Sequence, residues 1–469
     1  MLKDVSHMTE DRGLARLRAA VPDLEVLVAP AEIEPYRWDA TAYARPGMPV
    51  AVARPSSTEQ VSALVAIAAE RRIPIVPRGA GTGLSGGALG VDGAITLSLE
   101  RMDRILELNA DDLYAVVQPG VVNADLGRAA ARHGLFYPPD PASYETCTIG
   151  GNIAENAGGL RCVKYGVTAD YVLGMEVVLA DGAVIRTGGR VVKDVMGYDL
   201  TRLFVGSEGT LGIVTEATLR LRPAPAARST VMAFFADVTA AGEAVALITK
   251  GGTVPVTLEL MDRRTIRSVE SALRLGLDGS AGAMLLVESD ASGTAAEAEI
   301  DAVVAACLSA SATRIDRASD EHEADALRDA RRRAYWALEQ EGTARMEDVG
   351  VPRSRAPELL RAIERRAAEH EVDVGIYGHA GDGNYHPTFV LDPGDPDAAA
   401  RVDRVRWDIY ADVLALGGTV TGEHGVGTAK REQLLAQRGS RQVEVMRSLK
   451  AALDPLGVLN PGKVLPERG

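Results

Sequence analysis

Residues 78–87 read RGAGTGLSGG, directly after Ile73 to Val76, a short apolar run with the look of a strand. Gly81, Gly83 and Gly86 match the spacing G-x-G-x-x-G. A Rossmann site needs a helix to start at such a loop, with its N-terminus facing the pyrophosphate. The chain continues here with Ala88-Leu89-Gly90-Val91-Asp92-Gly93, a turn, and then strand-like Ala94 to Leu99. No helix fits, so the spacing excludes Rossmann geometry. The loop still offers a row of backbone N–H groups with no side chains in the way, and such nests bind phosphate without a helix. Arg78 adds a charge, and Thr82 and Ser85 add hydroxyl donors. Taken alone, the loop reads equally well as a connection that needs positive φ.

Two more loops shift that balance. Cys147 to Gly159 reads CTIGGNIAENAGG, and Val205 to Glu216 reads VGSEGTLGIVTE. Three Gly/Thr/Asn loops between strands suggest a large polar ligand lying along backbone, and a dinucleotide fits. The surrounding pattern is mixed. Met48 to Ala53 reads as a strand, Ser56-Ser57-Thr58-Glu59 as a capping box, and Val61, Leu64, Val65 and Ala68 as one helical face. Tyr114 to Gln118 and Val172 to Leu179 read as strands, and Asn123 as the cap of a helix ending near His133-Gly134. Tyr137 to Gly159 shows little periodicity and reads as loop. Thr210 to Leu221 returns to strand character and ends at Pro223-Ala224-Pro225. Beyond about residue 229, strands (Val231 to Phe235, Val256 to Leu260, Met284 to Val287, Asp373 to Tyr377, Tyr385 to Val390) alternate with helices over 238–250, 294–308 and 397–416. That alternation predicts an α+β layer on an antiparallel sheet.

Composition bounds the function. The 469 residues suggest about three structural units. Lys plus Arg number 51 against 65 Asp plus Glu, a net charge of −14, which argues against nucleic acid or anionic lipid as a whole-protein partner. Cys147, Cys162 and Cys307 form no CxxC pair and no iron–sulfur series, so they read as buried small hydrophobes in a reducing cytoplasm. The first thirty residues carry charges throughout and lack the apolar core of a signal peptide. No run reaches the ~18 apolar residues of a membrane span, so membrane contact is expected only peripherally, through a partner.

RGAGTGLSGG, PPDPASYETCTIGGNIAENAGG and GYDLTRLFVGSEGTLGIVTEATLRLRP, in this order and spacing, resemble the FAD-binding domain of the vanillyl-alcohol-oxidase (p-cresol methylhydroxylase, PCMH) type. The likeness is greatest to the branch that holds the flavin-binding chain of glycolate oxidase, D-lactate dehydrogenase and D-2-hydroxyglutarate dehydrogenase, and it runs from about residue 40 to Lys463. The resemblance implies an α+β fold with four parts: a lead-in over 1–45, an FAD-binding domain over 46–225, an inserted substrate or cap domain over 226–416, and a segment over 417–469 that returns to the FAD domain. It implies that Arg78 to Thr82 hold the pyrophosphate, that Gly150-Gly151-Asn152 and Ile213 contact the adenosine and ribityl parts, and that Asn460 approaches the isoalloxazine. The full cofactor set it implies is Pro77, Arg78, Gly79, Ala80, Gly81, Thr82, Gly83, Ser85, Pro139, Thr148, Gly150, Gly151, Asn152, Asn156, Gly158, Glu208, Gly209, Ile213 and Asn460. Covalent members of the superfamily often carry a His in the first loop. Thr82 and no His stands here, so the FAD is expected to be non-covalent.

A second constellation lies downstream. Gly378 to Pro387 reads GHAGDGNYHP and Gly422 to Gly427 reads GEHGVG. His379, His386 and Glu423 offer two imidazoles and a carboxylate, a set that suits a divalent metal, zinc or manganese, with an open position for substrate. His424 is left over as a base. The plain alternative is a pair of histidines satisfying buried carbonyls, and the resemblance favours the metal. Oxidising a 2-hydroxy acid needs both parts: a metal lowers the hydroxyl pKa, a neutral imidazole takes the proton, and the flavin accepts the hydride. Asp382 reads as an aspartate stabilising its own turn. In the run Arg331-Arg332-Arg333, the resemblance puts Arg331 on the substrate carboxylate, with Arg332 the alternative one residue away.

Aligned with the 2-hydroxyglutarate branch, Met346 replaces Lys, Tyr335 replaces Thr and Thr388 replaces Asn. A second carboxylate would lose its partners, which favours D-lactate, glycolate or another small monocarboxylic D-2-hydroxy acid. The alternatives are a D-2-hydroxyglutarate dehydrogenase and a catalytic subunit of a multi-subunit glycolate oxidase. Electrons would leave by a quinone, cytochrome, electron-transfer flavoprotein or separate iron–sulfur subunit, and the sequence leaves room for an oligomer. Two readings from other classes remain, a flavin-free metal hydrolase and a non-catalytic flavoprotein subunit.

Overall fold

A computed structural model describes residues 16–467 apart from 18, 42, 43, 226 and 227, so much of the expected helical lead-in lies outside the described residues. The described chain folds into two compact units. One holds the residues up to Ala157, Val167–Ala224 and those from Glu423 on, and the other holds Gly158–Gly166 and Pro225–Gly422.

The first unit contains two larger sheets and a two-stranded pair, Leu135–Phe136 with Arg222–Pro223. In one, Ala51–Arg54, Ile95–Ser98 and Ile75–Arg78 are parallel neighbours, with Glu25–Leu27 antiparallel at the edge. The helix Thr58–Arg71 joins Ala51–Arg54 to Ile75–Arg78 and buries Val61, Leu64, Val65 and Ala68, the face read from the sequence. Its cap sits one residue later than expected. Ser57 accepts from the Gln60 amide while Gln60 Oε1 accepts from Ser56 N, so Gln60, not Glu59, closes the box. The other sheet is antiparallel, in the order Ile105–Asn109, Tyr114–Val117, Ile213–Arg220, Val172–Val178, Val184–Gly188. The chain's end joins the first sheet: Ile75 N donates to Val458 O at 2.8 Å and Asn460 N to Ile75 O at 2.7 Å.

Two local expectations need correction. The stretch read as loop contains a helix, Ile149–Glu155. Thr148 caps it by accepting from Gly151 N, and Asn156 stops it at φ 54 in the left-handed region. Capping at both ends outweighs the poor propensity of two glycines. Asn123 is not a cap but the first helical residue of Asn123–Ala131. Its side-chain amide donates instead to Pro139 O and Asn152 Oδ1. Of the cysteines, Cys147 and Cys307 are buried and Cys162 is half-buried.

The second unit is built on one antiparallel sheet in the order Arg314–Arg317, Ser229–Phe235, Ala283–Ser289, Thr257–Asp262, Asp373–His379, Asn384–Leu391, Thr343–Met346. Helices cover both faces, which explains why these strands read as continuous apolar runs. Alternate residues divide between the two layers. Val231, Ala233 and Phe235 join a core with the helices Val238–Lys250, Ala356–Glu369 and Ala398–Ala415, while Met232 and Phe234 join one with Arg263–Leu273. The segment Gly158–Gly166 is tied to this unit by Lys164 and Tyr165, which both donate to the buried carboxylate of Asp290.

Asp262 ends the strand Thr257–Asp262 and caps the helix Arg263–Leu273 by accepting from Thr265 N. Burial pushes its carboxyl up to about 6, against the pull of its bonds to Thr265. A raised folded value means that the fold holds the proton where the unfolded chain gives it up. This contribution to stability is whole below the ordinary carboxylate range and is lost as pH rises through about 6. Asp262→Asn keeps the capping acceptor and removes the ionisation. Denaturant midpoints at pH 4 and pH 7.5 should therefore fall less in the variant than in the wild type; an equal fall would dismiss the assignment.

Candidate functional site

In the first unit, the strand Ile75–Arg78 delivers the loop Gly79–Gly87 to a groove. Pro77, Arg78, Gly79, Pro119, Thr148, Gly150, Gly151 and Ile213 line it. The end of one strand, the start of the helix Ile149–Glu155 and the start of Ile213–Arg220 meet there. Gly79 is required by close approach, since a Cβ would strike Thr148 Oγ1. No helix comes after the loop, as its spacing predicted. The Arg78 guanidinium is engaged within the unit: its Nη1 donates to Trp38 O at 2.5 Å and it lies beside the Tyr36 ring. Arg78 therefore braces the loop at Gly81, where a Cβ would collide with it. Ser85 Oγ and Asn460 Oδ1 are buried with no hydrogen-bond partner in the protein. Backbone amides, small residues and unspent polar atoms fit a phosphate-linked dinucleotide.

Other members of the expected cofactor set are engaged within the fold. Asn152 Oδ1 accepts from Asn123, and its Nδ2 donates to Cys147 Sγ at 3.2 Å. Asn156 Oδ1 accepts from Ala169 N at 2.8 Å. Gly158 opens the segment that belongs to the second unit. Asn460 Nδ2 donates to Gly87 O and Glu208 O at 2.9 and 2.8 Å, joining three loops.

Glu208 holds the loop just beyond His424. Its two oxygens accept from Val426 N and Gly427 N, both at 2.7 Å, and Thr428 N and Ala429 N donate to Ser85 O. Burial pushes Glu208 up to about 7 despite those amides, and pushes Lys463, which donates to Gly86 O and Leu89 O, down to about 8. Glu155 is raised by burial and then by the charge of Glu208. Both carboxylates crowd Gly425 (φ +85), where a Cβ would strike Glu155 Oε2 and come within 3.0 Å of Glu208 Oε1. Only glycine suits that position. Glu423 and His424 are neighbours at this end of the unit, Oε1 to Nε2 at 3.9 Å.

In the second unit, strand register assembles a polar stripe within an otherwise apolar face. Met261 lies opposite Tyr377, Tyr377 opposite His386, and Thr388 opposite Met346. With a side-chain period of two, Glu259, Met261, Tyr377, His379, His386, Thr388 and Met346 share one face. The His379 and His386 rings lie 5.3 Å apart, edge to face. His379 Nδ1 meets Glu259 Oε1 at 2.9 Å. A carboxylate only accepts, so Nδ1 carries the proton and Nε2 is left as the donor atom for a metal. Asp348 accepts from Thr421 Oγ1 and Gly422 N at 2.9 and 2.8 Å, fixing the turn whose next residue is Glu423. Two imidazoles on one face, one with its tautomer set, fit a divalent cation. Asp382 Oδ1 accepts from Asn384 N within its own turn.

Of the three arginines, Arg333 is exposed, Arg332 half-buried and Arg331 only 3% exposed. The Arg331 guanidinium stacks 4.8 Å from the Tyr377 ring centroid, and its Nε is 2.8 Å from Glu259 Oε2. That distance is a hydrogen bond's but the angle is not, so the pair is ionic, and Nη2 is buried with no hydrogen-bond partner. Glu259 was not among the residues singled out from the sequence. A lone Glu in TLELMD carries no motif, and only its register with His379 gives it a place.

The chain belongs to the FAD-linked oxidases. The family's FAD-binding domain matches residues 49–188, and the C-terminal domain of FAD-linked oxidases matches residues 224–464. It is 46% identical to the glycolate oxidase subunit GlcD of Bacillus subtilis (strain 168), across 92% of this chain and 91% of that one. It is 37% identical to a D-lactate dehydrogenase of Archaeoglobus fulgidus, across 92% and 95%. Among solved structures, p-cresol methylhydroxylase with substrate bound superposes with a TM-score of 0.82 at 19% identity, covering 97% of this chain and 96% of that one. The fold is thus the PCMH type expected from the motifs, and the protein is an FAD-dependent oxidoreductase. No helix among the described residues is long and apolar enough to cross a membrane.

Proposed function

We propose that the protein oxidises a small D-2-hydroxy acid, with D-lactate or glycolate favoured, to the 2-oxo acid. The observation that carries this reading is Arg331, a buried guanidinium with an unspent Nη2, on the face that presents His379 and His386. Arg331 grips the substrate carboxylate. A divalent cation held by His379, His386 and Glu423, zinc or manganese, supplies the Lewis acid that lowers the hydroxyl pKa. His424 takes the hydroxyl proton. Bound FAD, non-covalent because the first loop carries Thr82 and no His, supplies the hydride acceptor. Met346 and Thr388 set the size of the substrate. The Thr388 and Tyr377 hydroxyls bond each other at 3.0 Å, and Tyr377 OH lies 3.0 Å from Met346 Sδ. A distal carboxylate would meet a thioether and a satisfied hydroxyl, with Arg331 already taken by the first carboxylate. The relatives named as glycolate oxidase subunits support a partner that takes the electrons, a quinone, cytochrome, electron-transfer flavoprotein or iron–sulfur subunit.

The test is the anaerobic visible spectrum of the purified protein, before and after D-lactate, L-lactate, glycolate or D-2-hydroxyglutarate. Rapid bleaching by D-lactate or glycolate is the expected result. Bleaching by D-2-hydroxyglutarate alone would overturn the roles of Met346 and Thr388. A flavin that stays oxidised with every hydroxy acid would point to a non-catalytic subunit.

A further inference from the structure

We infer that Glu259 is a positioning residue that sets the metal ligand His379 and the substrate-gripping Arg331 against each other. The inference rests on the hydroxy-acid reading above. Glu259 is 1% exposed, in the middle of a central strand whose neighbours on both sides are apolar. A carboxylate there is costly to bury unless it is paired on every side. It is so paired: both oxygens lie at 2.9–3.0 Å from His379 Nδ1, and one also lies 2.8 Å from Arg331 Nε. The two partners come from different elements, the strand Asp373–His379 and the helix Glu321–Arg332. One carboxylate therefore does two things. It fixes the His379 tautomer with the proton on Nδ1, and it neutralises and orients the guanidinium over Tyr377. Among the described residues of this face, no other carboxylate pairs with both.

Glu259→Gln keeps the size of the side chain but leaves one acceptor oxygen for two donors. Zinc affinity should fall 10–100-fold, the usual effect of losing a carboxylate behind a ligating histidine, as measured by competition with a chelator. FAD content should stay near wild type while the thermal transition falls, because Arg331 loses its buried counter-charge, and KM for the hydroxy acid should rise more than kcat falls. Because the lone Arg331 charge could disturb folding, Glu259→Leu combined with Arg331→Met is the second variant. It removes the buried pair as a whole and should show the same loss of zinc. Unchanged zinc affinity in either folded variant overturns the inference while leaving the proposed function standing. A wild-type protein that takes up neither zinc nor manganese overturns the metal reading and this inference with it.

Discussion

His424→Ala should bind FAD normally and reduce it slowly, by a factor on the order of 10²–10⁴, the range for loss of a positioned general base. The expectation is specific because the loop's backbone is held by bonds that do not involve the imidazole. Glu208 grips Val426 N and Gly427 N, Ser85 O accepts from Thr428 and Ala429, and Val464 N donates to Gly427 O. Truncating one side chain leaves those bonds in place, so the loss falls on proton transfer and not on the site's architecture. Single-turnover reduction by D-lactate under anaerobic conditions measures the step directly. Reduction at wild-type speed would remove His424 from the chemistry.

The sequence revealed the frame because its punctuation is strong. The sequence reads as a helix over 238–250, and Val238–Lys250 is that helix, capped by Asp237. The turn Ala88 to Gly93 after the first glycine loop excluded a Rossmann helix, and the chain passes there directly to Ile95–Ser98. The helix Ile149–Glu155 escaped because IGGNIAE lacks both an apolar period and good helix formers. Its signals were the caps at its ends, Thr148 and Asn156. Long-range roles were harder to see. Glu208 sits in a loop that reads as phosphate-binding, yet its carboxylate serves amides more than two hundred residues away. Arg331 and Arg333 look alike in sequence, and only helix phase against Tyr377 buries one and exposes the other. Glu259 stands opposite His379 through a pairing of strands more than a hundred residues apart, which no local pattern encodes.

Arg331→Gln should lower kcat/KM for D-lactate by about 10²–10³, most of it in KM. Losing one partner of a buried charge pair costs roughly 2–5 kcal/mol, and each 1.4 kcal/mol is tenfold. Two charges depend on this guanidinium: the incoming carboxylate, and Glu259, which stays buried beside His379. The variant should therefore also lose stability, and a loss of activity alone would not separate the two effects. Selectivity does. An uncharged analogue such as 1,2-propanediol lacks the carboxylate that Arg331 holds, so its slow oxidation should change little while that of D-lactate collapses. The ratio between the two substrates should shrink by nearly the full factor. If both rates fell together, Arg331 would be a structural counter-ion of Glu259, and the substrate carboxylate would have to be held by the neighbouring Arg332.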